Sequence, residues 1–129
     1  MNDIEVLEKA RGKLCRGWVA NKRGVGHCGE YRSGNSPMAV AWCALGALDA
    51  ALDTDECCRH PIGIRLIRRL SQGIKDPLKD TFPETAVAKY SNRSGQAKTI
   101  ALFDTTIRKL KMERMAASAT FAMGPRRAA

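Results

Sequence analysis

Hydrophobic positions recur with a helical period at the start of the chain. Ile4, Leu7, Leu14 and the more distant Trp18 fall on one stripe with Ala10 between them, while Glu5, Glu8, Lys9 and Lys13 face away, which predicts a helix over residues 2–15. Asn2 and Glu5 stand at capping-box spacing, and Gly17 supplies a stop. The period then disappears. Residues 19–36, VANKRGVGHCGEYRSGNS, are punctuated by Gly24, Gly26, Gly29 and Gly34 and read as one long loop, with Val25 to Tyr31 as the place for a weak hairpin. Ser36-Pro37 has the form of an N-cap followed by a first-turn proline, so a helix is expected over 37–52, PMAVAWCALGALDAAL. Asp49 is the one charge in that run. A helix apolar nearly all round belongs at the centre of a fold. Gly46 within it costs about 1 kcal/mol against Ala, which predicts a packing reason for its presence.

Residues 53–60, DTDECCRH, read as a connection. Pro61 opens a helix through Gln72, with Ile62, Leu66, Ile67 and Leu70 inward and Arg65, Arg68 and Arg69 outward. Residues 74–82 contain Asp76-Pro77 and read as loop. Pro83 starts a short helix to Tyr90, and Asn92 to Gly95 turn the chain. A last helix is expected over Gln96–Met115, with Ile100, Phe103, Ile107 and Leu110 as its stripe and Asp104 paired to Arg108 at i,i+4. The expected architecture is all-α: a single compact domain over residues 1–115, about five helices around the central apolar helix 37–52, with one long Gly-rich loop. Residues 116–129 are expected to form a frayed or disordered basic tail.

Charge sharpens this picture. The net charge of +9 is uneven: residues 1–58 hold 7 Lys and Arg against 8 Asp and Glu, and residues 59–129 hold 15 against 5. Such asymmetry points to an acidic partner for the second half. A length of 129 residues fits one domain, and the 44% apolar content argues against global disorder. Aromatics are only 5%, so the core falls to aliphatic side chains. Five cysteines without a signal-peptide pattern fit reduced thiols and a cytoplasmic setting. The longest apolar run is shorter than a membrane span and contains Asp49, so no membrane anchor is expected.

Four constellations of residues bear on chemistry. His27, Cys28, Cys57, Cys58 and His60 are zinc-ligand types, but no Cys-x-x-Cys pair occurs, and Cys15 and Cys43 sit within apolar helical stripes as core thiols. A nucleophile built from Cys28 and His27, or from Cys58 and His60, joins sequence neighbours, whereas such partners normally lie far apart in the chain. RGVGHCG lacks the Lys-Ser/Thr of a phosphate loop and the strand-to-helix setting of a dinucleotide site. Its flanking Lys22, Arg23 and Arg32 nevertheless make it a candidate anion-binding loop. The two basic helix faces, Arg65, Arg68 and Arg69 with Lys109, Lys111 and Arg114, are candidate phosphate contacts.

Three segments resemble a known family: IEVLEKARGKLCRGW at 4–18, WCALGALDAAL at 42–52 and YSNRSGQAKTIALFDTTI at 90–107. They are similar to a small uncharacterised helical domain of actinobacterial and other bacterial genomes and their phages. That family has a helix ending in Gly-Trp, a Cys-x-x-Gly-Ala helix, and a Trp-Asn-Asp-like turn leading into a Leu-Phe-Asp helix. Cys43, Gly46, Ala47, Phe103 and Asp104 fall on matching positions, while Tyr90-Ser91-Asn92 stands where Trp-Asn-Asp is expected. The resemblance implies a helical fold and a phage or mobile-element origin, and no catalytic residues.

The function read from these features is a small cytoplasmic, non-catalytic binding protein engaging an acidic partner. An inhibitor of a host-defence nucleoprotein and a sequestering agent for a nucleotide signal are the subtypes considered. The alternative is direct nucleic-acid binding through the basic helix faces. A Cys/His enzyme or a zinc protein ranks last, and no metal or cofactor is implied.

Overall fold

Helix α1 spans Asp3–Arg16 and starts as its sequence requires: Asn2 Oδ1 accepts the Glu5 amide at 2.9 Å, and Asn2 Nδ2 donates to Glu5 Oε1 at 3.0 Å. Ile4, Val6, Leu7, Ala10 and Leu14 are buried. Cys15 is exposed, contrary to its reading as a core thiol, because it lies one residue round from the inward Leu14. Gly17 ends the helix in extended backbone, packed so closely on the Val40 carbonyl and Ala41 that a Cβ has no room. The computed structural model describes residues 2–75 and 82–128, with side chains among them through residue 119.

The loop expected over 19–36 carries the anticipated hairpin and more. Strand β1 (Gly24–Val25) pairs antiparallel with β2 (Tyr31–Arg32), Val25 opposite Tyr31. It also pairs antiparallel with β3 (Ala41–Trp42), giving a small sheet of order β2-β1-β3. The fold is therefore mostly helical, and the all-α expectation is corrected by this sheet.

Strand β3 also corrects the central helix. Residues 37–40 are irregular, and helix α2 begins only at Ala44 and runs to Leu52. The Val40 amide donates to the Val25 carbonyl at 2.8 Å, the Trp42 amide to the Gly17 carbonyl at 3.0 Å, and the Trp42 indole to the Gly34 carbonyl at 2.8 Å. These bonds hold Val40 and Trp42 extended, and the helical i→i−4 pattern cannot supply them. Ser36 Oγ accepts from the Met38 amide within a turn instead of capping a helix. The α2 cap is Cys43, whose Sγ accepts from the Gly46 amide at 3.4 Å.

A 3₁₀ turn over Cys57–Arg59 leads to α3 (Pro61–Gln72), capped by His60, whose Nδ1 accepts from the Ile62 amide at 3.1 Å. The connection expected over 74–82 falls, from residue 76 to 81, outside the described residues. Helix α4 spans Pro83–Ala128 with a break at Gly95, where φ is 87° and ψ −179°. The expected turn over 92–95 thus contracts to one residue, a glycine, at a backbone conformation that side chains resist. The helix continues past Met115 to Ala128, although residues 111–119 are all exposed.

The core joins the apolar faces of all four helices. Leu7, Leu14, Leu48, Leu66, Leu70 and Phe103 are fully buried, each contributing about 1.5–3 kcal/mol of burial energy. Seven of the nine α2 residues are buried, as its apolar composition predicts, and the helix packs against α1 and α4.

Candidate functional site

The basic faces of α3 and α4 do come together, but largely with acids. Arg65 donates to both carboxylate oxygens of Asp3, at 2.8 and 2.7 Å. Arg69 clasps Glu113 at 2.7 and 2.5 Å, and Lys111 lies 3.6 Å from Glu8. The Arg65 hydrogen bonds hold the Asp3 carboxyl below its usual range, and Arg69 does the same for Glu113. Half of the six expected phosphate contacts are thereby engaged internally. Arg68, Lys109 and Arg114 are exposed and form no ion pair among the described residues. The expected Asp104–Arg108 pair is also replaced, because Asp104 takes the guanidinium of Arg11 across the α1–α4 contact. The acids that complete these pairs, Asp3 and Glu8 of α1 and Asp104 and Glu113 of α4, are visible in the sequence. Their destinations depend on how α1, α3 and α4 lie against one another, which the helical period does not encode.

The loop residues divide three ways. Lys22 is exposed. Arg32 faces Glu30 at 3.6 Å. Arg23 turns inward to the fully buried Asp49, Nη1 to Oδ2 at 2.6 Å, and is thereby removed from the set of anion-binding candidates. Asp49 Oδ1 also accepts the Cys57 amide at 2.7 Å. Burial pushes the Asp49 carboxyl upward against the opposing pull of the Cys57 amide and Arg23. Desolvation works against the Arg23 charge as well, but Asp49 outweighs it and keeps the guanidinium protonated. Gly46 supplies the packing reason expected of it: its Cα lies against the Arg23 carbonyl where a Cβ would overlap, and Gly34 packs as closely on Gly46.

A second polar junction is centred on Ser91. The fully buried Ser91 Oγ accepts from the Trp18 indole at 3.3 Å and from the Ala44 amide at the start of α2 at 3.2 Å. Thr99 Oγ1 donates to the Gly95 carbonyl at 2.7 Å and lies 3.5 Å from Ser91 Oγ. Beside it, Asn21 adopts φ 64° and donates its amide to Asn92 Oδ1 at 2.7 Å. Gln96 Nε2 reaches the Leu14 carbonyl at 2.8 Å. These contacts bind the end of α1 and the start of the loop to α4 on both sides of the Gly95 break. The only sequence signal for the junction is the polar Ser91-Asn92 pair at the turn.

The thiols and imidazoles have structural roles where their contacts are defined. Cys43 caps α2, and His60 caps α3. Cys57 is buried, donates to the Leu45 carbonyl at 3.5 Å and has its thiol pushed upward by burial. Cys58 is half-buried, 4.0 Å from Arg23 Nη2. Among the described residues, no group of three or more His, Cys, Asp or Glu side chains is placed to hold a metal ion.

No helix among the described residues is long and apolar enough to cross a membrane. Compared with protein-family models, curated proteins and solved structures, the chain matches none.

Proposed function

We propose that this is a non-catalytic binding protein that engages an acidic macromolecule through its basic surface. One observation carries the reading: internal pairing leaves the surface strongly cationic. Among the described residues, twelve Lys and Arg side chains form no ion pair, whereas only Glu5, Asp53, Asp55 and Glu84 remain unpaired among the acids. A charge excess of this kind raises encounter rates with polyanions and makes binding salt-dependent. The definite structural roles of Cys43, Cys57 and His60 favour binding over Cys/His chemistry. A phage or mobile-element origin, with a host nucleoprotein as the acidic partner, is the biological setting that the sequence resemblance suggests.

The test is equilibrium binding to three polyanions, a random-sequence DNA duplex, a single-stranded RNA and polyglutamate, across a salt series. Binding to at least one, weakening as salt rises, is the expected result. Failure to bind any of them at low salt overturns the reading.

A further inference from the structure

Several stretches of the chain contain cations and no acid; residues 57–75, with Arg65 and Arg69, are one, but there the fold brings Asp3 and Glu113 onto those arginines, and two others differ. Residues 12–29 hold Lys13, Arg16, Lys22 and Arg23, and residues 85–103 hold Lys89, Arg93 and Lys98. They are distant in sequence, but the fold joins them at three points: Gln96 to Leu14, Trp18 to Ser91 and Asn21 to Asn92. Arg23 is engaged by Asp49, and the Lys13 ammonium lies over the Trp42 ring, 5.1 Å from its centroid. The other five, Arg16, Lys22, Lys89, Arg93 and Lys98, are all exposed and form no ion pair among the described residues.

The contacts tie the segments that carry these cations to one another. The Asn21–Asn92 bond makes Lys22 and Arg93 sequence neighbours of a single hydrogen bond. Lys89 precedes Arg93 by one helical turn, so both project from the same face of α4. Arg16 is two residues beyond Leu14, whose carbonyl receives Gln96. Lys98 follows just past the Gly95 break. By contrast, the α3–α4 face has Arg65, Arg69 and Lys111 bound to acids.

We propose that this acid-free pole, centred on Arg16, Lys22 and Arg93, is the surface that holds the acidic partner, and that the partner is the phosphate backbone of a nucleic acid. The proposal rests on the reading of the protein as a polyanion binder. The choice of nucleic acid over an acidic protein comes from what the pole lacks. Protein interfaces are anchored by exposed aromatic, Met and other apolar side chains at their centre. The large exposed hydrophobics of the described chain, Tyr31, Met38, Ile64, Phe82, Met112 and Met115, all lie outside residues 12–29 and 85–103. A phosphate backbone needs only well-spaced cations and hydrogen-bond donors, and such contacts position a duplex or strand without reading its sequence.

The experiment measures binding of the full chain to a random-sequence DNA duplex, a single-stranded RNA and polyglutamate from low to moderate salt. It compares Arg16→Glu/Lys22→Glu/Arg93→Glu at the pole with Arg68→Glu/Lys109→Glu/Arg114→Glu on the α3–α4 face. All six side chains are exposed, and circular dichroism with thermal melting verifies that both variants fold. Four to five phosphate contacts predict that wild-type affinity for DNA or RNA falls about 10²- to 10³-fold between 50 and 200 mM salt. The pole variant should lose at least about 100-fold in affinity at low salt and flatten the salt slope by about three, one per contact. The face variant should retain most of the wild-type affinity and slope.

Greater loss in the face variant, or equal loss in both, overturns the pole while leaving the polyanion reading standing. Wild-type binding to polyglutamate without binding to DNA or RNA overturns the nucleic-acid class. Binding to none of the three overturns both proposals.

Discussion

Arg23 Nη1 lies 2.6 Å from Asp49 Oδ2, so the single charge of the apolar central segment is met by a guanidinium delivered from the glycine-rich loop. The pair ties the loop to α2 and, through Asp49 Oδ1 and the Cys57 amide, to the turn before α3. Removing one partner of such a pair leaves a buried charge, and that costs more than removing both. Arg23→Met is therefore expected to destabilise by about 3–5 kcal/mol. Arg23→Met/Asp49→Leu should recover part of that loss. Asp49 is a carboxyl raised by burial, so its ionisation opposes folding, and its contribution is more favourable below its unfolded pKa than above it. The Arg23→Met deficit should accordingly shrink as pH falls toward about 4. Chemical denaturation at several pH values measures both effects, and a pH-independent loss below about 1 kcal/mol would sink the account.

Gly46 and Gly12 make a paired test of packing against propensity. Both lie inside helices, where Ala is favoured by about 1 kcal/mol in the absence of contacts. At Gly12 a Cβ meets nothing within 4 Å, so Gly12→Ala should stabilise by about 0.5–1 kcal/mol. At Gly46 a Cβ would overlap the Arg23 backbone carbonyl, which cannot yield as a flexible side chain would. Gly46→Ala should destabilise by about 1–3 kcal/mol despite the better propensity. Thermal melts of the two variants should shift in opposite directions; shifts of the same sign would contradict the close approach.

The acid limb of stability should report Asp3. Its hydrogen bonds from Arg65 lower its pKa below the usual 3.8, so it contributes stability above its unfolded pKa. That stability is lost as pH falls through the still lower folded pKa. The pair is largely exposed, so the effect should be small and should weaken in salt. Asp3→Asn should therefore lower the melting temperature slightly at neutral pH and lose that difference at pH below both pKa values, so that its acid limb is flatter than that of the wild type. An acid limb identical to wild type would exclude the Arg65 contact as its cause.

What the sequence disclosed, and what it withheld, follows from the range of each interaction. The stripe Ile4, Leu7, Ala10, Leu14 and the inward set Leu66, Ile67, Leu70 are local patterns, and all are buried as the helical period requires. The Asn2 cap and Pro61 start are equally local. The apolar run 37–52 misled because periodicity cannot divide a short apolar stretch between strand and helix. Its Val40 and Trp42 are held extended by bonds to Val25, Gly17 and Gly34, partners set by the tertiary fold. The candidate site was hidden for the same reason. Lys22 stands out on its loop, but Arg16, just past the first predicted helix, and Arg93, inside the turn predicted over 92–95, carry no signal of their own until the Asn21–Asn92 and Gln96–Leu14 contacts tie their segments together.

Ser91 provides the most demanding test of how the two halves of the chain are joined. Its hydroxyl oxygen accepts both the Trp18 indole and the Ala44 amide in a fully buried position. Ser91→Ala removes one atom and leaves two donors without that acceptor, and each unmet buried donor costs about 1–3 kcal/mol. Water cannot readily compensate at a site where Ser91 and Ala44 are both fully buried. Ser91→Thr retains the oxygen but adds a methyl to a packed site, so it should cost less than Ser91→Ala only if the core gives way to that methyl. The chain has two tryptophans, and Trp18 loses its indole partner on replacement by Ala, whereas Trp42 keeps its bond to the Gly34 carbonyl. The fluorescence of the native Ser91→Ala variant should therefore change through Trp18, and that change should persist in a Trp42→Phe background. A Ser91→Ala variant with unaltered Trp18 emission and a stability loss under about 1 kcal/mol would show that the junction is held by packing alone.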